Sequence, residues 1–382
     1  MKILYVFTSG RKVRLHDFQS GKEAPLEFLF GLPYLQEKGY KVDIIELTDL
    51  HPNPESHEYK SLYKKNVRIN KRTSLTSSSH FFIEIIEQFN CYDLIIAGNE
   101  YIAFGLAYYK QKGILRPPML FFVMGMLAKI LKPETGNLFY STLFNRNYRF
   151  GKKYYQDLIE CSQSVVFLGK GEYDYAVKIF SSLKNKFHFI PFSIDTSFWL
   201  PAKDLVSIKP YVLFIGNDAQ RDFELVTKIA EKLNNIQFKF VTKVIRTETV
   251  PRNVELLSGD WKESILSDIE IRKLIQKSRL VILPLKKTFQ PSGQSVALQT
   301  MACGKPVIIS KTDGFWDPEN FIDKRHVLFV YSNSIDEWCA IITEALNDKK
   351  LMAILETEGR KLIFEKYDLE VFGKRLYDII KA

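Results

Sequence analysis

The sequence predicts an α/β protein with two Rossmann-like, doubly wound domains that face each other across a cleft. The chain has 382 residues, which is more than one hydrophobic core usually supports. Short apolar runs of strand type alternate with segments of helical type, and this pattern is typical of parallel sheets covered by helices on both faces. The alternation pauses at a segment with two prolines, Phe187–Ala202, and then begins again. Two domains joined near residue 195 are therefore expected.

Each predicted element rests on its own run of residues. The N-terminal half offers the strands KILYVFT, KVDIIEL, YDLIIAG, MLFFVMG and SVVFLG, and the helices PLEFLFGLPYLQEKG, HFFIEIIEQFN and GEYDYAVKIFSSL. The C-terminal half offers the strands YVLFIG, QFKFVTK, RLVILPL and KPVIIS, and the helices FELVTKIAEKL and DIEIRKLIQKS. We place an N-terminal Rossmann-like domain at 1–192 and a C-terminal Rossmann-like domain at 193–365. A last helix, 366–382, is expected to pack back toward the N-terminal domain.

The composition restricts the partners and the compartment. The formal net charge is +10, from 54 lysine and arginine residues against 44 aspartate and glutamate residues, which favours phosphates, acidic sugars or an anionic membrane surface. The four cysteines are scattered without metal-ligand spacing, as expected for a reducing compartment. The longest apolar stretch, Met119–Leu131, is too short to span a bilayer. We expect a cytoplasmic protein, with or without peripheral contact with the inner face of the membrane.

Ligands of open parallel sheets bind beyond the carboxyl ends of the strands, so the loops at those ends hold the candidate residues. In TSGRKVRLHD, Gly10 lets the backbone approach a ligand, and Arg11, Lys12 and Arg14 offer cations to a phosphate. Neither a G-x-G-x-x-G fingerprint nor a G-K-[ST] loop follows the strand. The alternative is a solvated basic loop.

The loops after the first two strands of the C-terminal half carry further cations. In FIGNDAQRDFELV, Gly216 and Asn217 end a buried strand, and Arg221 lies at the start of the next helix, where an anion is favoured. Arg221 could instead form a surface pair with a neighbouring aspartate. In TKVIRTE, Lys243 and Arg246 follow the next strand, at the same edge of the predicted sheet.

The segment QPSGQSVALQTMACGKPVIIS places a glycine turn before a helix and a strand. Gly293, Gln294 and Ser295 would expose backbone N–H groups to an anion at the helix start. Gln299, about one turn further, could hydrogen-bond sugar hydroxyls through its amide. The alternative is a capped helix with no ligand, in which Ser292 or Ser295 is the N-cap.

These segments resemble parts of the GT-B glycosyltransferases. FIPFSIDTSFW resembles their hinge signature, and QPSGQSVALQTMACGKPVIISKTDG is similar to the donor-binding segment of retaining family 4, glycosyltransferase group 1. In that family two glutamates stand eight positions apart. The second falls on Gln299, where the resemblance implies a contact with the nucleotide ribose, and the first falls on Pro291. The Phe-Gly pair of the family falls on Gly293 and Gln294.

The resemblance implies retaining transfer of a sugar from a nucleotide-diphospho-sugar to a hydroxyl of a glycan, lipid-linked or cell-envelope acceptor. Arg221 and Lys243 would be the catalytic cations that hold the leaving diphosphate, with Arg246 as a substitute for the latter. Gly10, Arg11, Gly216, Asn217, Gly293, Gln294, Ser295 and Gln299 complete the predicted substrate-binding set. No metal and no further cofactor is implied, because cationic side chains replace the metal. The family's histidine is not evident, and His16 is a stand-in for it.

Two other functions stay open. The missing glutamates fit a catalytically degenerate protein of the same fold that binds nucleotides or glycans. A sugar-nucleotide epimerase of this architecture would need carboxylates and a histidine, in which the predicted cleft is poor. Nucleic acid is not an expected partner, because no recognition motif is present and the basic residues are spread out.

One helix could bring the protein to a membrane. In the segment 140–155, Tyr140, Phe144, Tyr148 and Tyr155 share one helical face, and Arg146, Arg149 and Lys153 lie opposite. A basic amphipathic helix suits an anionic membrane surface. The alternative is an ordinary domain helix with an aromatic core face and a solvated basic face.

Overall fold

The computed structural model describes residues 1–130, 138–202, 210–258 and 266–382, with side chains from residue 146 onward in the helix that begins at Leu138. The chain divides into two units. Unit 1 consists of Met1–Val13, Leu29–Pro191 and Gly373–Ala382, and unit 2 of Arg14–Phe28 and Phe192–Phe372. Arg14–Phe28 lies in the predicted N-terminal domain but belongs to unit 2.

Unit 1 is built on a sheet of six parallel strands in the order β2-β1-β3-β4-β5-β6. The strands are β1 (Lys2–Phe7), β2 (Lys41–Glu46), β3 (Leu94–Ala97), β4 (Met119–Val123), β5 (Ser164–Phe167) and β6 (Phe187–Phe189). The helices among these strands are α2 (Leu32–Glu37), α3 (His57–Thr73), α4 (Glu100–Gln111), α5 (Leu138–Glu160) and α6 (Lys170–Ile179).

Unit 2 has a second sheet of six parallel strands, in the order β12-β11-β10-β7-β8-β9. Its strands are β7 (Val212–Ile215), β8 (Phe238–Val241), β9 (Val254–Leu257), β10 (Leu280–Leu283), β11 (Val307–Ser310) and β12 (Leu328–Val330). Its helices are α7 (Phe223–Lys232), α8 (Asp268–Lys277), α9 (Gln294–Ala302), α10 (Ile335–Asn347) and α11 (Lys349–Lys366). The chain passes between the units at four points: within α1 (Arg11–Gln19), between Phe28 and Leu29, between Pro191 and Phe192, and within α12 (Leu369–Lys381).

The predicted class of two doubly wound parallel domains is confirmed. The central strands consist of fully buried apolar residues, for example LIIA in β3 and LVIL in β10, as expected for sheets covered on both faces. Three short strands that the sequence analysis does not predict, Phe187–Phe189, Val254–Leu257 and Leu328–Val330, all lie at sheet edges.

Two predicted helices of the N-terminal half are wrong. PLEFLFGLPYLQEKG forms a 3₁₀ turn at Glu27–Leu29 and then the short helix α2, because Phe30 and Gly31 take φ values of 47° and 75° and interrupt the helix. HFFIEIIEQFN forms two 3₁₀ segments, Ser79–Phe81 and Ile86–Cys91.

Helix α5 shows how its aromatic face is used. Tyr155 is fully buried and Tyr148 packs against the core of unit 1, whereas Arg146, Arg149 and Lys153 are exposed. The predicted side chains Tyr140 and Phe144 lie outside the described residues. This is the arrangement of a domain helix with a solvated basic face. Within the described part of the chain, every helix is too short or too polar to cross a membrane.

Candidate functional site

Unit 2 contains a cavity of about 260 Å³ at the carboxyl ends of two adjacent strands. Ile215, the last residue of β7, and Val241, the last residue of β8, both line it. Strand β7 lies between β8 and β10, so the chain order reverses beside it. Such a switch point is where open parallel sheets bind ligands.

The cavity is an apolar slot with a polar side. Its apolar side chains come from strands, helices and connecting segments: Phe28, Trp199, Ile215, Val241, Leu266, Ile271 and Val296. Its polar side chains are Arg14, Asn217, Asp268, Ser295 and Gln299. Mostly apolar walls with a few directed polar groups are typical of small-molecule sites.

Arg221 lies directly before α7 and is only 3% exposed. Its Nη1 is 3.1 Å from Asp218 Oδ2, and its Nε donates to the Ile215 carbonyl at 3.3 Å. A Cβ placed on Gly216 would meet Nε at 2.4 Å, so only glycine fits beside this guanidinium. Burial, the larger effect, lowers the pKa of Arg221, while the Asp218 charge opposes the change. The predicted diphosphate cation is therefore held inside the loop after β7.

The glycine turn before α9 brings a helix start to the same place. Gly293 is the N-cap, with a φ of 80° and no side-chain cap, and a Cβ there would be 3.5 Å from Arg221 Nη1. Ser295, in the first turn, lines the cavity, and Gln294 is buried. The buried hydroxyl of Ser292 has no hydrogen bond among the described residues. Guanidinium, glycine turn and helix start thus meet at one edge of the sheet.

Asn217 joins the loops after β7 and β8. Its Oδ1 accepts from the Lys243 backbone N–H at 2.8 Å and from Thr242 Oγ1 at 3.1 Å. The side chains of Lys243 and Arg246 are exposed and do not line the cavity. The loops are brought together as predicted, but the two cations lie at the surface rather than in the slot.

Gln299, in α9, is 7% exposed and lines the cavity. Its Nε2 donates to Glu27 Oε1 at 3.0 Å, and the same oxygen accepts from Trp199 Nε1 at 2.9 Å. Glu27 is buried, and its Oε2 has no hydrogen bond among the described residues. Burial raises the pKa of Glu27 to about 7, against the opposing charge of Arg14.

Arg14 closes another side of the cavity. Its Nη2 is 2.8 Å from Asp268 Oδ2, at the start of α8, and its guanidinium lies 5.0 Å from the centre of the Phe28 ring. The segment Arg14–Phe28 is also held by Asp195, which accepts from the Leu26 N–H at 3.3 Å. The segment FIPFSIDTSFW, which contains Asp195, therefore helps to position a wall of the cavity.

Sequence reasoning missed Glu27 and Trp199 as parts of this site, and it assigned Arg14 to the loop after the first strand rather than to this cavity. A signal for Glu27 was present, because a lone acid within LEFLF is surrounded by apolar residues, and a buried carboxyl group needs partners. Those partners could not be identified, since Trp199 and Gln299 are 172 and 272 residues away in sequence.

Gly10 and Arg11 lie in unit 1, after β1. Gly10 has a φ of 79°, as the predicted turn requires. Glu46, at the end of β2, accepts from the backbone N–H groups of Arg11 and Lys12, the latter at 3.0 Å, and Lys12 Nζ is 2.7 Å from Asp49. The anion at this helix start is therefore a carboxylate of the protein itself. His16, the proposed stand-in, is exposed.

Two more carboxyl groups are buried at the strand ends of unit 1. Glu100, the first residue of α4, accepts from the N–H groups of Met124 and Met126, each at 2.9 Å. Glu172, in the first turn of α6, accepts from the Ala128 N–H at 3.2 Å. Burial raises both pKa values, and the Glu100 charge raises that of Glu172 further. Together they hold the loop after β4.

Comparisons with known proteins agree with this architecture. Residues 209–348 match the family model described as Glycosyl transferases group 1. A curated relative, the uncharacterized glycosyltransferase MJ1607 of Methanocaldococcus jannaschii, is 26% identical over 113 residues, which are 29% of this chain and 27% of the relative. The chain thus matches about a quarter of that relative's length.

Solved structures match along the whole chain. Sucrose-phosphate synthase from Thermosynechococcus elongatus has a TM-score of 0.67 and 14% identity, with 100% of this chain and 98% of that chain covered. Anabaena Alr3699/HepE, in complex with UDP-glucose, has a TM-score of 0.65 and 13% identity, with 100% and 99% covered. The fold is therefore that of the GT-B glycosyltransferases. The resemblance to glycosyltransferase group 1 is confirmed, with the family match in the C-terminal part of the chain.

Proposed function

We propose that this protein is a retaining glycosyltransferase that takes a sugar from a nucleotide-diphospho-sugar bound in unit 2. The observation that supports this proposal most is the cavity at the switch point of the sheet. There Gln299 lines an apolar slot, close to the start of α9 and to Arg221. The acceptor is a hydroxyl group of a glycan, a lipid-linked or another cell-envelope molecule. A cytoplasmic protein at the inner face of the membrane would fit such an acceptor.

The cavity suggests how the donor binds. The nucleoside lies in the apolar slot, with its ribose at Gln299, and the diphosphate lies over the start of α9, where backbone N–H groups and the helix dipole favour an anion. Lys243 and Arg246, exposed at the neighbouring loop, add positive charge. Because Arg221 is 3% exposed, a direct contact with the diphosphate requires the loop after β7 to move.

The proposed reaction breaks the bond between the anomeric carbon and the donor diphosphate. The new bond to the acceptor oxygen forms on the same face of the sugar, and the acceptor proton passes to a diphosphate oxygen. No protein nucleophile is needed in this step. The protein stabilises the charge that develops on the leaving diphosphate, through Arg221, Lys243 and the start of α9. Because the proposed reaction needs no carboxylate nucleophile, it is compatible with a neutral Gln299 at the position where the family usually has a glutamate.

The activity can be tested with a panel of nucleotide sugars, beginning with UDP-glucose because the similar Anabaena protein is crystallised with it. Released nucleoside diphosphate is measured with and without candidate acceptors. Acceptor-dependent release, with the anomeric configuration of the product retained, would support the proposal. Binding of a nucleotide without release across the panel would instead indicate a degenerate binding protein.

Arg221→Ala tests the diphosphate site. We expect the affinity for UDP to fall by about 1–3 kcal/mol, the scale for losing a charged hydrogen bond, as measured by calorimetry. Arg279→Ala is the matched control, because Arg279 is exposed just before β10, at the opposite edge of the same sheet. Thermal unfolding of both variants shows whether they are folded. Equal affinity in Arg221→Ala and Arg279→Ala would disprove the role of Arg221.

A further inference from the structure

The side-chain amide of Gln299 is fixed by a buried acid that the family resemblance does not assign. Gln299 Nε2 donates to Glu27 Oε1 at 3.0 Å, and Trp199 Nε1 donates to the same oxygen at 2.9 Å. Glu27 is 2% exposed and Gln299 is 7% exposed. An ionised carboxylate only accepts hydrogen bonds, so the nitrogen of the Gln299 amide must face Glu27.

This arrangement decides which atom of Gln299 is left for a ligand. With Nε2 used, the remaining polar atom is the carbonyl oxygen Oε1, which makes no hydrogen bond to any described residue. Gln299 lines the cavity, so a ligand there meets an acceptor rather than a donor. A hydroxyl group is the complementary chemistry, whereas a carbonyl or phosphate oxygen is not.

The orientation does not depend on the protonation state of Glu27. Both donors converge on Oε1, while Oε2 is buried without a hydrogen bond among the described residues. A proton on the carboxyl group is therefore carried by Oε2, and Oε1 stays an acceptor in either state. Gln299 keeps the same orientation across neutral pH.

We propose that Glu27 is a positioning residue for nucleotide binding. It turns the carbonyl oxygen of Gln299 toward the cavity, where this oxygen accepts a hydrogen bond from a ribose hydroxyl of the donor. The assignment of the hydroxyl to ribose rests on the proposed function. A neutral glutamine can then replace the acceptor oxygen of a glutamate, because a second acid fixes its orientation.

The test compares UDP with 2′,3′-dideoxy-UDP, which lacks the ribose hydroxyls, by calorimetry on the full chain. The wild-type protein is expected to bind UDP about threefold to tenfold more tightly, the scale of one hydrogen bond. Glu27→Leu should lower the affinity for UDP to that for the dideoxy nucleotide and leave the latter unchanged. Glu27→Gln keeps an acceptor oxygen and should keep the preference for UDP.

Several results would overturn the proposal. Equal binding of both nucleotides by the wild type would remove the hydroxyl contact and leave the glycosyltransferase proposal standing. A loss in Glu27→Leu that is equal for both nucleotides would show that Glu27 only supports the fold. If Glu27→Leu does not fold, Glu27→Met takes its place, because methionine retains the side-chain length without an acceptor oxygen. It is judged by the same ratio of the affinities for UDP and 2′,3′-dideoxy-UDP.

Failure of the underlying function has a different signature. If the wild type binds none of UDP, GDP and ADP, the proposed function fails, and this inference fails with it. If GDP or ADP binds instead of UDP, the test is repeated with that nucleotide and its own 2′,3′-dideoxy analogue. The expected ratios between the two affinities are the same as those given for UDP and 2′,3′-dideoxy-UDP.

Discussion

Two helix starts at the carboxyl edges of the sheets, that of α1 in unit 1 and that of α9 in unit 2, differ in whether a carboxyl group of the protein occupies them. In unit 1, carboxyl groups of the protein lie at three helix starts: Glu46 at α1, Glu100 at α4 and Glu172 in α6. In unit 2, Asp222 caps the start of α7, but the start of α9 has a glycine N-cap without a side-chain cap, beside the buried Arg221. A helix start favours an anion in both units. At α1 this anion is the Glu46 carboxylate, whereas at α9 no side chain of the protein takes the place.

This difference bears on where an anionic ligand could bind. Where a protein carboxylate already accepts from the first N–H groups of a helix, as Glu46 does, a phosphate would have to displace it. At α9 no capping side chain competes. The comparison therefore favours unit 2 as the diphosphate side, and it leaves the predicted roles of Gly10 and Arg11 to be tested.

Glu100→Leu should have the largest effect on stability. The change leaves the N–H groups of the half-buried Met124 and the buried Met126 without their acceptor. At about 1–3 kcal/mol for each unpaired donor, the free energy of unfolding should fall by about 2–6 kcal/mol. Urea unfolding followed by circular dichroism measures it.

Glu172→Gln is the matched control for this change. It removes the second carboxyl group of the pair, and the Glu100 charge already raises the pKa of Glu172. We expect a much smaller loss than in Glu100→Leu, because a neutral amide is close to the protonated acid in charge and shape. Equal losses in the two variants would contradict the view that Glu100 is the main anchor of the loop.

The sequence predicts the central strands and the edge strand β2, but it predicts neither the other three edge strands nor the contact between Glu27 and Gln299. Fully apolar runs such as LIIA identify buried strands directly. VELL, in the edge strand β9, carries an exposed acid and lacks this signal. The glycine turn at Gly293 could be predicted because its residue types act locally. The contact between Glu27 and Gln299 could not, because it spans 272 residues and depends on tertiary packing.

Titration of Glu27 should give the second largest effect. Burial raises its pKa from 4.5 to about 7 in the folded protein, so the folded state binds the proton more strongly than the unfolded state. This stabilisation is complete below pH 4.5 and is lost as the pH rises through about 7. Between pH 5 and pH 8 the free energy of unfolding of the wild type should fall by about 2–3 kcal/mol more than that of Glu27→Gln. This figure follows from about 1.4 kcal/mol for each unit of pKa difference between the folded and unfolded states.

Urea unfolding of both proteins at the two pH values measures this difference. If the difference in the free energy of unfolding between the wild type and Glu27→Gln is the same at both pH values, Glu27 does not titrate in this range. Glu23→Gln is a suitable control because Glu23 lies in the same segment, is exposed, and pairs with Arg272 at 2.8 Å. The difference in the free energy of unfolding between Glu23→Gln and the wild type at the two pH values is the background against which the change in Glu27→Gln is judged.

Glu46→Ala should have the smallest effect and tests the comparison most directly. The variant removes the acceptor for the first N–H groups of α1, which should cost about 0.5–2 kcal/mol, as for a lost N-cap. If Glu46 occupies an anion site, added formate should bind there and restore part of the loss, whereas the wild type should not respond. Glu37→Ala, at the exposed end of α2, controls for general salt effects in the same thermal unfolding assay. If formate stabilises Glu46→Ala no more than Glu37→Ala, the start of α1 is not an anion site, and the contrast between the two sheet edges must rest on Arg221 alone.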